Sequence, residues 1–85
     1  MNLQWTPEGW SDYVYWQVED RKTLRRINKL IQDMLRDPYH GLGKPEPLRY
    51  DLAAYWSRRI DETNRIVYKV SGDILIIAQC RTHYE

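Results

Sequence analysis

The hydrophobic pattern of this 85-residue chain changes its period once, at a segment rich in glycine and proline. Before that segment, beyond a short alternating stretch at residues 3–5, apolar residues recur at the three- and four-residue spacing of helices. After it, they alternate or form short runs, as strands do. The segment itself, Gly41-Leu42-Gly43-Lys44-Pro45-Glu46-Pro47, is predicted to exclude regular structure. Helices followed by strands predict an α+β fold.

Two helices are predicted in the first half. Thr6-Pro7-Glu8 has the residues of a helix start, with Thr6 as N-cap and Pro7 in the first turn. Asp20 is expected to cap a second helix, which ends at Asp37-Pro38. Their apolar residues fall at helical spacing: Trp10, Tyr13, Val14 and Val18 in the first helix, and Leu24, Ile27, Leu30, Ile31, Met34 and Leu35 in the second.

The second predicted helix is basic on its other face. A solvated surface is the more common explanation of such a charge run, and an RNA or partner surface is the less common one. The residues concerned are Arg21, Lys22, Arg25, Arg26 and Lys29.

Five strands are predicted. Residues 3–5 alternate and suggest a short first strand, and the other four lie at 48–52, 55–60, 65–70 and 74–81. The last of these is the most apolar, so we expect it at the centre of the sheet. The order is then β-α-α-β-β-β-β, with the two N-terminal helices packed on one face of a mostly antiparallel sheet.

Strand alternation sorts the polar side chains by face. Ile66, Tyr68 and Val70 share one parity, and Arg65, Val67 and Lys69 share the other. Arg59 shares a face of its strand with Ser57, whereas Arg58 shares the other face with Trp56 and Ile60. If Arg59, Arg65, Arg81 and His83 open on one side, they form a site for an anion, although the sequence does not fix the register.

Composition limits the classes of function. The chain has 13 basic and 12 acidic residues, a net charge of +1, so bulk charge does not favour nucleic-acid binding. If RNA is the ligand, the basic residues must be concentrated on one face of the protein. The only cysteine, Cys80, excludes an internal disulfide and a multi-cysteine metal site, and it is expected in the core. No apolar run approaches the roughly 20 residues of a membrane span. Met1-Asn2-Leu3 starts no signal peptide, so a cytoplasmic protein of one domain, residues 1–85, is predicted.

Some residues of the second half are of the types that RNA cleavage requires. Attack by the 2′-hydroxyl needs a base, cations beside the phosphorane and an acid for the leaving 5′-oxygen. Glu46, the arginines and His83 are of those types. Each has a more common explanation when it is considered singly: a solvated loop glutamate, a surface histidine, or arginines paired with neighbouring carboxylates. No metal or other cofactor is needed for this chemistry.

The motifs taken together indicate more than the single residues. The chain resembles the YoeB/Txe toxins of the RelE/ParE superfamily over essentially its full length. Five separated segments agree with that family in order and spacing. They are Trp5 with the following helix start, Gly43-Lys44-Pro45-Glu46-Pro47-Leu48, Tyr55-Trp56-Ser57-Arg58-Arg59-Ile60, Arg65-Ile66-Val67-Tyr68, and Cys80-Arg81-Thr82-His83-Tyr84.

The resemblance implies an activity and partners. It implies a ribosome-dependent endoribonuclease that cleaves messenger RNA in the A site of the small subunit by metal-independent acid/base chemistry. A cognate antitoxin of the YefM/Axe type is expected to neutralise it. Relatives self-associate, and the chain's 4 tryptophans and 7 tyrosines permit an aromatic homodimer interface.

The resemblance also implies residue roles. Glu46 matches the general base, His83 the general acid and Arg65 the transition-state cation. A substrate-binding set surrounds them: Lys44, Arg49, Arg59, Arg81 and Tyr84. Arg49 stands where relatives often have lysine, and Glu85 extends the chain beyond the usual terminal tyrosine.

Two other classes of function stay open at this point. The same fold serves toxins that bind and poison gyrase, and these lack the Glu/His set. A noncatalytic module that binds RNA or a protein partner is the simpler alternative. Growth arrest that persists without Glu46 or His83 would favour the first, and binding without cleavage would favour the second.

Overall fold

The computed structural model describes residues 1–82, and its elements follow the predicted order. Two helices come before most of the sheet, and a short 3₁₀ helix separates its second and third strands. The elements are β1 Asn2–Trp5, α1 Pro7–Glu19, α2 Arg21–Arg36, β2 Glu46–Pro47, the 3₁₀ helix Tyr50–Leu52, β3 Trp56–Arg59, β4 Arg65–Ser71 and β5 Ile74–Gln79.

The five strands form one sheet in the order β1-β5-β4-β3-β2. β1 runs parallel to β5, and the other neighbours are antiparallel, so the prediction of a mostly antiparallel sheet is confirmed. The prediction that the last strand is central is wrong. β4 is the middle strand: β5 and β1 lie on one side of it, and β3 and β2 lie on the other. β5 is nevertheless an inner strand, which explains its apolar sequence.

Helix boundaries lie where the capping residues predict them. The Thr6 hydroxyl accepts a hydrogen bond of 3.0 Å from the Gly9 N–H, and Pro7 begins α1. One Asp20 carboxylate oxygen accepts from the N–H groups of Lys22 and Thr23, at 3.1 and 3.2 Å. Asp20 therefore both ends α1 and starts α2.

The core lies between the helices and one face of the sheet. α2 contributes Ile27, Leu30, Ile31 and Met34, which confirms its predicted aliphatic stripe. The sheet contributes alternate residues of β4 and β5, and Cys80 is also fully buried, as expected. The sheet residues are Ile66, Tyr68, Leu75 and Ile77. Among residues 1–82, neither helix is long and apolar enough to cross a membrane.

The apolar face predicted for α1 packs only in part, since Tyr13 is partly buried against the core. Trp10, Val14 and Val18 are 51%, 40% and 77% exposed, whereas Gly9 and Trp16 are buried. The reason is a close approach between α1 and β5, since a Cβ on Gly9 would lie 2.5 Å from the carbonyl oxygen of Ile77. This approach turns the Gly9–Trp16 side of the helix inward.

The segment around residues 46–52 also differs from the prediction. The expected strand at 48–52 is absent, and Glu46–Pro47, expected to be irregular, pairs with β3. Pro47 has no N–H with which to extend a ladder, and Tyr50 has a φ of 58°, which turns the chain away into the 3₁₀ helix. Glu46 is thereby fixed to a strand and not to a loop. At the other end of the sheet, β5 ends at Gln79 and not at Arg81.

Candidate active site

A carboxylate and a guanidinium meet on the sheet. Arg65 Nη1 donates a hydrogen bond of 2.9 Å to Glu46 Oε1, and the two form a salt bridge. The same nitrogen lies 3.3 Å from the hydroxyl oxygen of Ser57. The Arg65 side chain is 18% exposed and that of Glu46 is 51% exposed. The pair therefore reaches the surface with the glutamate outermost.

The strand register explains this meeting. Glu46 pairs with Ser57, and Ser57 pairs with Val67 on the next strand. Arg65 precedes Val67 by two residues and so shares its face. That face is opposite the one on which Ile66 and Tyr68 enter the core. Glu46 and Arg65 thus lie on the side of the sheet away from the helices.

Three more of the predicted cations lie near this pair along the chain or across the sheet. Arg59 is the register partner of Arg65 at the ends of β3 and β4. Lys44 and Arg49 flank Glu46 in the sequence, and both are exposed. A depression of about 650 Å³ is lined by residues 46–52 and includes Glu46, Arg49 and Tyr50.

Gly43 fastens the segment before Glu46 to the sheet. Its carbonyl oxygen accepts a hydrogen bond of 2.7 Å from the Arg59 N–H. Its φ is 79°, and a Cβ there would lie 2.9 Å from the Arg59 carbonyl oxygen and 2.9 Å from Leu30 Cδ2. Only glycine satisfies both the conformation and the space.

Arg81 lies in a different environment. Its guanidinium carbon is 3.6 Å from the centroid of the Tyr15 ring on α1. Asp12, on the same helix, accepts a hydrogen bond of 3.1 Å from the Cys80 N–H. Burial raises the pKa of Asp12, while the Cys80 N–H and the charge of Arg81 oppose that rise. The structure thus places Arg81 against α1 and does not bring it to the Glu46–Arg65 pair.

Two of the predicted site residues, His83 and Tyr84, lie outside the described residues. The description ends at Thr82, whose carbonyl oxygen accepts a hydrogen bond of 3.2 Å from the Arg65 N–H. The C-terminal segment is therefore fastened, up to Thr82, to the residue that contacts Glu46.

Sequence reasoning assigned no role to Arg58, which is fully buried. Its guanidinium donates to Asp33 Oδ2 at 2.6 Å and to the Tyr68 hydroxyl at 3.1 Å. It also donates to three backbone carbonyls, those of Asp37 at 2.7 Å, His40 at 3.1 Å and Leu42 at 3.1 Å. Arg58 thus holds the whole segment that leads from α2 toward Glu46. Alternation along the strand puts Arg58 on the same face as Trp56 and the buried Ile60, and this pattern could have indicated its burial.

Asp33 joins this network from α2. The Arg36 guanidinium, the Leu42 N–H and Arg58 hold the pKa of the Asp33 carboxyl well below its usual range, with Arg36 the largest influence. Asp33 Oδ2 accepts a hydrogen bond of 2.8 Å from that N–H. The carboxylate therefore neutralises Arg58 and also fixes the segment before Glu46.

Ser57 is the second residue that the predictions missed. It is fully buried between Glu46 and Val67 in the sheet register, with its hydroxyl beside Arg65. Its parity with Arg59 placed it on the correct face, but a lone serine in a strand suggests no particular role.

The arrangement combines a proton acceptor with a cation that can stabilise developing negative charge. Arginine has five N–H donors, so Arg65 can contact Glu46 and a phosphate group together. Within residues 1–82, no group of three histidine, cysteine, aspartate or glutamate residues is close enough to hold a metal ion.

Comparison with known proteins gives full-length matches. The family profile described as "YoeB-like toxin of bacterial type II toxin-antitoxin system" matches residues 5–84. The toxin YoeB of Streptomyces coelicolor is 57% identical over 84 residues, which covers 99% of this chain and 100% of that protein.

Solved structures agree with these matches. The YoeB/ParE toxin from Agrobacterium tumefaciens has a TM-score of 0.96 and 51% identity, covering 99% of this chain and 100% of that one. The YoeB dimer from Staphylococcus aureus has a TM-score of 0.91 and 39% identity, covering 99% and 98%. YoeB in the heterotetrameric YoeB–YefM complex from the same organism has a TM-score of 0.90 at 39% identity and the same coverage.

Proposed function

The chain belongs to the YoeB-like toxins of bacterial type II toxin–antitoxin systems, and we propose that it is an endoribonuclease that cleaves messenger RNA in the A site of the ribosome. The observation that carries this proposal is the contact between Glu46 and Arg65, 2.9 Å apart on the face of the sheet that the helices leave open. A base and a phosphate-binding cation are two of the three groups that RNA transesterification needs, and His83 is the proposed third, the acid.

Glu46 acts as the general base in this proposal. It removes the proton of the 2′-hydroxyl, the 2′-oxygen attacks the adjacent phosphorus, and the bond from phosphorus to the 5′-oxygen breaks. The carboxylate is 51% exposed, so an RNA hydroxyl can approach it from the open side. Its strand pairing with Ser57 holds the backbone in place while it does so.

Arg65 stabilises the phosphorane, with Arg59 beside it at the strand ends. The buried hydroxyl of Ser57, 3.3 Å from Arg65 Nη1, supports the orientation of the guanidinium. Lys44 and Arg49 contact the flanking phosphates in this account, and both are exposed on either side of Glu46. Tyr84 seats the substrate. Arg81 also belongs to the proposed substrate-binding set, and from its place against Tyr15 it would contact RNA only at the edge of the site.

His83 protonates the departing 5′-oxygen. Its assignment rests on its place in the Cys80-Arg81-Thr82-His83-Tyr84 motif and on the family. The hydrogen bond between the Arg65 N–H and the Thr82 carbonyl, 3.2 Å long, supports the assignment because it ties the preceding residue to the candidate site.

The ribosome supplies most of the positioning. A chain with a net charge of +1 has little nonspecific hold on free RNA, whose binding strengthens with each phosphate neutralised. A message fixed in the decoding site would meet the toxin already oriented. The proposed activity requires the cytoplasm, where translation occurs.

A cognate antitoxin of the YefM type is the proposed partner, as in the YoeB–YefM complex of S. aureus. It would inhibit by covering the surface around Arg59, Arg65 and His83, or by withdrawing residues 83–85. A homodimer is proposed as well, following the S. aureus YoeB dimer.

The test is a reconstituted translation system with and without ribosomes. We expect efficient cleavage of a translated message, poor cleavage of the same RNA alone, and cleavage by Glu46→Gln that is roughly 10²–10⁴-fold slower. Equal rates with and without ribosomes would contradict the proposal. Growth arrest that survives Glu46→Gln in cells would indicate a protein target instead of RNA.

A further inference from the structure

Tyr50, the first residue of the 3₁₀ helix, is an aromatic residue that the fold does not use. It is 91% exposed. Every other tryptophan and tyrosine in residues 1–82 contacts another ring or a cation. Within the same residues, the Tyr50 ring has no such contact and its hydroxyl has no hydrogen bond. The side chain therefore adds nothing to the packing of the protein.

The backbone conformation of Tyr50 is also unfavourable for a tyrosine. Its φ of 58° lies in the left-handed region, which glycine or asparagine adopts more readily than a bulky residue does. The turn itself depends on backbone groups, since the Tyr50 carbonyl oxygen accepts a hydrogen bond of 3.1 Å from the Ala53 N–H. Folding alone does not explain a tyrosine here. Residues held in such conformations are concentrated at active sites and ligand-binding sites.

Tyr50 lies beside the proposed base. Tyr50 and Glu46 line the same depression of about 650 Å³. Leu52, which also lines it, borders a second depression of about 490 Å³ that Val67 of β4 lines as well. Val67 has the same parity as Arg65, which contacts Glu46. The depression shared by Glu46 and Tyr50 is therefore on the side of the sheet that carries Arg65, away from the helices.

The segment that carries Tyr50 is fixed on both sides of it. Leu48 is buried, and its N–H donates a hydrogen bond of 2.9 Å to the Tyr55 carbonyl oxygen. The Tyr55 N–H in turn donates one of 2.9 Å to the Leu52 carbonyl oxygen. A side chain on a fixed turn can position a substrate group, because its own place relative to Glu46 is already determined.

The chemistry around Tyr50 matches a nucleotide. Aromatic rings stack on bases of any identity, and Arg49, the preceding residue, is exposed and suited to a phosphate. The exposed neighbours of Tyr50 in the chain, Arg49 and Asp51, are both charged. The centre of a protein interface is depleted in charge, so these neighbours favour a base over a protein side chain as the group that covers the ring.

We infer that Tyr50 is a substrate-positioning residue whose ring stacks on one base of the message, that of the nucleotide whose 2′-hydroxyl Glu46 deprotonates. This inference rests on the proposed function. In a ribose, C2′ carries the hydroxyl and the adjacent C1′ carries the base. With the hydroxyl at Glu46, the base of the same nucleotide lies at the depression that Glu46 and Tyr50 share. Stacking there holds the ribose with its hydroxyl toward the carboxylate.

The test measures binding to ribosomes programmed with a message that stays whole because it has a 2′-deoxy residue just 5′ to the scissile phosphate. This residue carries a base in one message and is abasic in a second. A third message is abasic one position downstream instead. Tyr50→Phe keeps the ring, whereas Tyr50→Asn removes it and suits a positive φ. The control, Val18→Asn, removes a side chain that is 77% exposed on α1.

We expect Tyr50→Asn to bind the base-containing complex roughly tenfold more weakly than the unchanged protein does. On the message that is abasic at the deoxy residue, the two should bind equally, because the partner of the ring is already missing. Tyr50→Phe and Val18→Asn should bind as the unchanged protein does. Tyr50→Asn should also unfold at an equal or higher temperature, because the unfavourable backbone conformation is relieved.

An equal loss for Tyr50→Asn on the base-containing and abasic messages would overturn the inference, because the ring would then contact something other than this base. A loss that disappears only with the downstream abasic message would assign the ring to the neighbouring nucleotide and would overturn it too. So would equal binding by all the variants, or weakening confined to the antitoxin. Cleavage of the all-ribose message by the unchanged protein tests the proposed function separately, so that the two failures can be told apart.

Discussion

Arg65 donates a hydrogen bond of 2.9 Å to Glu46 across β3, which lies between their strands, and so the groups that we propose as cation and base are in direct contact. The Ser57 hydroxyl lies within 3.3 Å of the same guanidinium nitrogen. A site assembled in advance does not have to be ordered during the reaction, which is the main requirement for electrostatic stabilisation of a transition state.

Replacing Arg65 tests the role of the cation. Arg65→Ala should slow the chemical step about a hundredfold, a loss of about 3 kcal/mol of transition-state stabilisation, because its charge is aimed at the phosphorane. Single-turnover cleavage on ribosomes separates this step from binding. Lys69→Ala, on the same strand and with the same parity, is the matched control and should keep most of the activity. Similar losses for both variants would mean that the cleavage rate depends on the total positive charge of this face and not on Arg65 in particular.

The proposed acid and base should act as one unit. Glu46→Gln and His83→Gln should each lose roughly 10²–10⁴-fold in the cleavage rate, the usual range for a positioned proton donor or acceptor. The double variant should lose less than the product of the single losses, since either defect already stalls the same step. Losses that multiply would indicate that the residues act independently.

Arg58 should matter for stability far more than a surface arginine does. Asp33 pairs with buried Arg58 at 2.6 Å and with Arg36, whose side chain is 65% exposed, at 2.8 Å. Arg58→Met removes the buried partner of Asp33, which keeps only Arg36 and the Leu42 N–H, and leaves three backbone carbonyls without their Arg58 donor. It should lower the free energy of unfolding by about 3–5 kcal/mol. Arg36→Gln should lower it by at most about 1 kcal/mol. Urea unfolding of both variants measures the difference, and equal losses would contradict the assignment.

Asp33 should also set part of the pH dependence of stability. Arg36, the Leu42 N–H and Arg58 lower the pKa of its carboxyl in the folded state. A lowered folded-state pKa stabilises the protein above the unfolded pKa of about 3.9, and that stabilisation is lost as the pH falls toward the folded value. Asp33→Asn should therefore be less stable at neutral pH and lose less stability below about pH 4. Parallel curves of unfolding free energy against pH for the two proteins would refute this.

Much of the fold followed from local sequence signals. Thr6 and Asp20 marked the helix starts because capping is a local interaction. Alternation correctly grouped Ile66, Tyr68 and Val70 on one face of β4, which the structure shows to be the core face. The orientation of α1 was not predicted, because it depends on the approach of Gly9 to Ile77, distant in sequence. The prediction of a strand at 48–52 failed because it also depended on pairing with another strand, and the pairing with β3 ends at Pro47.

The candidate site was only partly predictable. Residue types and the family resemblance selected Glu46 and Arg65, but their contact depends on a register that joins three strands. Arg58 was overlooked because a charged residue is almost never fully buried unless it is paired, and its partner Asp33 lies on a helix distant in sequence. His83 and Tyr84 stay predictions from the C-terminal motif.

The chemistry of the cut ends tests the central claim most directly. If Glu46 activates the message's own 2′-hydroxyl, cleavage on the ribosome must leave a 2′,3′-cyclic phosphate upstream and a 5′-hydroxyl downstream. A message with a 2′-deoxy residue just 5′ to the scissile phosphate should bind and remain whole. A 5′-phosphate on the downstream fragment would contradict the account, because that end requires water or hydroxide as the nucleophile.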